Sequence, residues 1–159
     1  MRMKTKSHTA RQSRRIQSDA VHEAAHAVAA VALGVPVLSL SLDVFVIKPA
    51  CQPFENVQFL NACGVAICAG AAAQQQFAQD GGGVSDLDLE ALQAALDYVV
   101  PDAHAQCAQL RQTLLEYWQQ KSAKLVAWHW PVVTALANEL LARREMTGQA
   151  VERFVRARI

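Results

Sequence analysis

Two histidines one helical turn apart stand in the middle of a run of small apolar residues, and few folds can accommodate that. His22-Glu23-Ala24-Ala25-His26 lies inside Ala20 to Leu33, a stretch rich in alanine and valine with no helix breaker. On an α-helix, residues i and i+4 leave the same face, so both imidazoles point one way. Ala24, Ala25, Ala27, Val28 and Val31 around them predict burial. Buried polar rings need partners. The spacing suits two nitrogen ligands of a tetrahedral zinc ion. Glu23, directly after the first histidine, would then reach water on the metal rather than the metal, as a general base. The competing reading is a pair of packed core histidines with satisfied nitrogens. Gln17-Ser18-Asp19 offers capping side chains at the start of this helix, and Gly34 and Pro36 mark its end.

The rest of the chain supports a single buried helical unit. At 159 residues, 52% hydrophobic and 18% charged, it is rich in apolar residues and poor in charge for a soluble protein. A net charge of +1 gives no global case for nucleic acid or membrane binding. The exception is 1–17, which carries Arg2, Lys4, Lys6, Arg11, Arg14 and Arg15 and no acidic residue. It reads as a basic disordered tail, able at most to touch an acidic partner or nucleic acid. The folded domain is expected over 18–159. The most apolar stretch, Val57 to Ala73, holds Gln58, Asn61 and two glycines, and reads as a buried helix rather than a membrane span. Cys51, Cys63, Cys68 and Cys107 form no CxxC pair. They read as reduced thiols of a cytoplasmic protein.

Periodicity sets the order of elements. Val37 to Ile47 alternates apolar and polar residues, as one strand or as a hairpin with Asp43 near a bend. A central apolar helix follows over Asn56 to Gln79, then the loop Asp80-Gly81-Gly82-Gly83. Further helices are expected over Leu87 to Val100, Ala103 to Trp128, Trp130 to Arg144 and Gln149 to Ala157. The fold class is therefore mainly α with a small β element. Trp118, Trp128 and Trp130 are candidates for the core or for a subunit interface in a homo-oligomer.

Two histidines do not complete a catalytic zinc site, so a third protein ligand is expected. Glu55, Asp80, Asp86, Asp88, Glu90, His104 and His129 are candidates. A ligand at the start of a packed helix would be rigid, which favours Asp86 and Asp88.

The blocks His22 to His26, Ala69-Gly70-Ala71-Ala72-Ala73-Gln74 and Gly83-Val84-Ser85-Asp86-Leu87-Asp88-Leu89 come in an order that resembles the peptidase domain of FtsH-type ATP-dependent zinc metalloproteases. Ala135 to Leu141, Glu145-Met146-Thr147-Gly148 and Val151 resemble that family's closing helices. The resemblance implies a zincin-like helical fold, a Zn2+ cofactor and a third ligand from the Asp-Leu segment. Two Asp-Leu pairs overlap here. Asp88 shares a helical face with Leu92, Leu96 and Val100, whereas Asp86 would bring Glu90 onto it, so Asp88 is the expected ligand. The chain departs from the family at Ala25, which replaces a glycine, and at Gln74, Gln75 and Gln76, which replace acidic residues. Its 159 residues contain no GxxxxGK[ST] segment, and no stretch of them reads as a membrane anchor.

The expected function is zinc-dependent hydrolysis of peptide bonds, with His22, His26 and Asp88 on the metal and Glu23 as base. Substrates would be peptides or unfolded protein, delivered if needed by a separate ATPase or regulatory partner. The alternatives are a protease that cuts a transcriptional repressor, and a regulatory binding module that keeps the fold without catalysis.

Overall fold

In the computed structural model of the protein, residues 4–47, 57–78, 85–100 and 105–159 are described. The architecture is mainly helical with a small antiparallel sheet. In chain order come α1 (Lys4–Ala32), β1 (Val37–Ser41), β2 (Phe45–Ile47), α2 (Val57–Ala78), α3 (Asp86–Val99), α4 (Ala105–Trp128), α5 (Trp130–Arg143), β3 (Glu145–Thr147) and α6 (Gly148–Arg156).

Helix α1 is the axis of the molecule and packs against α2, α5, α6 and the sheet. It starts well before Ala20. The segment expected as a disordered tail is helical from Lys4 onward. No glycine or proline interrupts 4–32, and its lysines, arginines, glutamines and alanines favour a helix. Ser18 and Asp19 therefore lie inside the helix and do not cap it. Gln12 to Gln17 are exposed, and burial begins at Ala20.

Val37 to Ile47 forms the hairpin alternative. Its strands β1 and β2 pair antiparallel, with Leu40 opposite Phe45 and Asp43 in the bend. The Ser41 N–H donates to the Val44 carbonyl at 2.9 Å and closes the turn. Strand β3, which falls between two helices that the periodicity predicts, pairs with the other side of β1, with Leu40 opposite Met146. The sheet order is β2-β1-β3, which leaves β2 as an edge strand.

The core has two parts. The larger joins α1, α2, α5, α6 and the sheet through small residues such as Ala25, Ala29, Ala66 and Ala69, with Leu40, Leu136, Leu140 and Val151. Small side chains let α1 and α2 approach closely. The smaller part packs Val65 and Cys68 of α2 with Leu92 and Leu96 of α3 and Trp118 of α4. Trp118 is fully buried, Trp130 half-buried, and Trp128 exposed. Helix α2 is long and apolar enough to cross a membrane by length and composition, and half of that stretch is buried inside the fold. Cys63 and Cys68 are buried free thiols, pushed up by burial to about 11 and about 12, and Cys107 is free and half-buried. Cys51 lies outside the described residues.

Candidate metal centre

Three elements meet at one point. Helix α1 supplies His22 and His26, which are 5% and 2% exposed. Helix α3 supplies Asp88 from its first turn, where the Ser85 hydroxyl accepts the Asp88 backbone N–H at 3.1 Å and caps the helix. Burial of Leu92, Leu96 and Val100 sets the rotation of α3 and turns Asp88 inward with them. Helix α2 backs the histidines.

The donor atoms are close. His22 Nε2 lies 2.9 Å from His26 Nε2. Asp88 Oδ2 is 2.9 Å from His22 Nε2, and Asp88 Oδ1 is 3.3 Å from His26 Nε2. A tetrahedral zinc with bonds of about 2.0–2.1 Å spaces its ligand atoms about 3.3 Å apart, so the triangle is slightly tighter than a loaded site. Among the described residues, this is the group of histidine, cysteine and acidic side chains that converges for a metal.

The chemistry of the donors agrees with the geometry. His26 Nδ1 lies 2.8 Å from the Ala66 carbonyl, which can only accept, so Nδ1 carries a hydrogen. In the neutral ring, Nε2 is then a lone pair aimed at His22 and Asp88. Asp88 Oδ2 is close to His22 yet off the line of a hydrogen bond, and it is buried without a donor. His22 Nε2 can donate to the His26 Nε2 lone pair at 2.9 Å, and a cation can take the place of that proton. The residues therefore fit Zn2+, with an outer contact at Ala66 that orients His26. Phe45 of β2 stacks on His26 with ring centroids 5.6 Å apart and planes 10° apart.

The charges are coupled. Burial would raise the Asp88 carboxyl, but the facing His22 and His26 outweigh it and hold it well below the usual carboxylate range. Burial works against a charged His26, yet the Asp88 carboxylate and the Ala66 carbonyl raise its value above 6.5. At Glu23, burial pushes the carboxyl above its ordinary value. His26 and His22 pull it back, while Asp88 and Asp19 push it up.

The site opens into a cleft of about 470 Å³. Asp19 and Glu23 of α1 lie on its floor with the histidines. The β1–β2 bend and β2 form one wall with Leu42, Asp43, Val44, Phe45 and Ile47; Ile67 and Gln74 of α2 and Leu87 and Ala91 of α3 form the other.

The structure thus brings His22, Glu23, His26 and Asp88 to one cleft. Asp86 and Glu90 are exposed on other faces of α3, and His129 sits at the α4–α5 boundary without a capping hydrogen bond. Glu55, Asp80 and His104 lie outside the described residues. Sequence reasoning missed Asp19, Phe45 and the Ala66 carbonyl. Asp19 was legible at i−4 from Glu23. The other two depend on packing between distant segments and leave no local pattern. No protein-family model matches the chain, and no curated protein matches it.

Proposed function

We propose that this protein is a zinc-dependent metallopeptidase that hydrolyses peptide bonds in extended polypeptide segments. The observation that carries the reading is the convergence of His22 Nε2, His26 Nε2 and the Asp88 carboxylate on one point, inside a cleft that also holds Glu23. His22, His26 and Asp88 would hold Zn2+, which supplies a Lewis acid that polarises a carbonyl and lowers the pKa of water from about 15.7 to roughly 7.

The remaining steps belong to the chain's own residues. Glu23 accepts the proton of the attacking water at its carboxylate and returns it to the leaving amine. Its raised value brings it nearer neutrality, where a group can both take and give a proton. Edge strand β2 offers backbone groups beside the site, which suits an extended chain added as a further strand. Leu42, Val44, Ile47, Ile67 and Leu87 favour an apolar substrate side chain in the cleft. Peptides, loose loops and unfolded segments meet these requirements, and a folded surface does not. Free buried thiols agree with a reducing cytoplasm.

The test is metal content by mass spectrometry together with cleavage of a fluorescently labelled unfolded protein. Wild type is expected to hold near-stoichiometric zinc, and Asp88→Ala to lose it. Glu23→Gln should keep the metal and lose turnover by roughly 10²–10⁴-fold. Wild type that stays zinc-free after reconstitution, or Glu23→Gln with the wild-type rate, would sink the reading.

A further inference from the structure

Helix α2 carries two glycines, Gly64 and Gly70, well inside its length. A mid-helix glycine loses more conformational freedom on folding than alanine does, so its presence asks for a steric reason. At Gly70 that reason is the histidine pair. A Cβ there would lie 2.5 Å from His22 Cε1, 2.5 Å from His26 Nε2 and 2.7 Å from His22 Nδ1. These separations are far inside the roughly 3.5–4.0 Å at which non-bonded heavy atoms rest.

Neither ring has room to yield. His26 is held by the Ala66 carbonyl at 2.8 Å and covered by the Phe45 ring. His22 is buried between α1, α2 and Asp88. Ala66 and Gly70 are one turn apart and so share a face of α2. That face does two things for the site. At Ala66 it offers an acceptor, and at Gly70 it leaves a gap.

We propose that Gly70 is a positioning residue of the metal centre: its bare Cα lets both imidazoles turn Nε2 toward the point that they share with Asp88. The metal half of this proposal rests on the zinc reading above, and the steric half stands without it. Gly64 supplies a matched control. A Cβ there would strike the Trp118 ring, an apolar contact away from the ligands.

The first experiment is competition titration with Zn2+, and the visible spectrum with Co2+, on wild type, Gly70→Ala and Gly64→Ala. Circular dichroism on the metal-free proteins reports the fold. Gly70→Ala is expected to keep its helical spectrum, bind zinc at least roughly tenfold more weakly and lose the tetrahedral cobalt bands. Gly64→Ala should melt earlier and bind like wild type. Gly70→Ala with wild-type affinity and cobalt spectrum overturns the proposal.

The second experiment needs no metal. Thermal melting compares alanine at position 70 in the wild-type background with the same change in a His22→Ala/His26→Ala background. The drop in melting temperature should shrink once both rings are gone. An equal drop in the two backgrounds, or a Gly70→Ala protein that folds only as poorly without the rings as with them, overturns it. Failure of wild type to bind zinc leaves this cycle intact, so the two readings fail separately.

Discussion

Trp118 and the His22–His26 pair each press against a glycine of α2, and the two contacts differ in the fate of their polar atoms. Trp118 buries its ring among Val65, Cys68, Leu92 and Leu96, and its one polar atom, Nε1, donates to Asn61 Oδ1 at 2.9 Å. The polar atom of that ring is satisfied inside the protein. The histidine pair is buried as deeply, yet His22 Nδ1 and Asp88 Oδ2 have no hydrogen-bond partner and the Nε2 atoms face each other. The same steric device thus serves a core in one place and the candidate metal centre in the other. The Trp118 ring completes its hydrogen bonding internally, whereas the candidate centre brings together nitrogen and oxygen atoms that a proton or a cation can bridge.

The largest expected effect separates stability from binding. Trp118→Ala removes a fully buried ring and should cost roughly 3–5 kcal/mol, read by urea unfolding, with zinc affinity unchanged. His22→Ala should reverse the pattern. Metal affinity collapses, while the metal-free protein loses less stability, because a buried ring with an unpaired nitrogen contributes little net free energy. If both variants lose stability and binding in parallel, the two contacts are one cooperative core and the distinction fails.

The next effect is in pH. His26 has a folded value above its ordinary 6.5, so its contribution is fully present below that pH and is lost as pH rises through the folded value. Asp88 has a folded value below its ordinary 3.8, so its contribution is present above that pH and is lost only in strong acid. Glu23 has a folded value above its ordinary 4.5, so its contribution is present below that pH and is lost as pH rises through the folded value. The metal-free protein should therefore be most stable near pH 4, lose stability as Glu23 ionises above about 4.5, and lose more as His26 discharges above about 6.5. Zinc binds the neutral rings, so loaded protein should show the opposite slope near neutrality. The one titrating group at the Trp118 contact is the Cys68 thiol, pushed up by burial to about 12, so Trp118→Ala should lower both curves evenly below about pH 8. Metal-free and zinc-loaded proteins with parallel pH curves would show that the histidines are ordinary core residues.

Much of this contrast is legible in the residues themselves. The apolar run around His22 and His26 foretells their burial. The period that joins Asp88 to Leu92, Leu96 and Val100 foretells which aspartate turns inward, because three apolar residues set the rotation of α3 more firmly than one charge does. The basic N-terminal segment misleads, since its charge suggests a tail while its lack of breakers continues the helix. Strand β3 has three residues, with only Met146 buried, and so short an alternation cannot be told from a turn before its partner β1 is known. The Ala66 carbonyl is a backbone atom, which residue type does not mark. Gly70 is visible in the sequence, but its meaning is not, because the rings it clears come from a helix far away in the chain.

The smallest expected effect is the most selective. Among the described residues, two helices begin with a side-chain cap: Ser85 accepts the Asp88 N–H at 3.1 Å, and Thr147 accepts the Ala150 N–H at 3.4 Å. Replacing either by alanine should cost about 1 kcal/mol of stability. Only at Ser85 does the capped turn carry a residue of the site. Fraying there frees Asp88 to leave the histidines, so Ser85→Ala should also weaken zinc binding several-fold in competition titration, and Thr147→Ala should leave it as it is. Equal zinc affinity in the two variants would mean that Asp88 is held by the packing of Leu92 and Leu96 behind it. The site would then owe its rigidity to the same apolar contacts that hold Trp118.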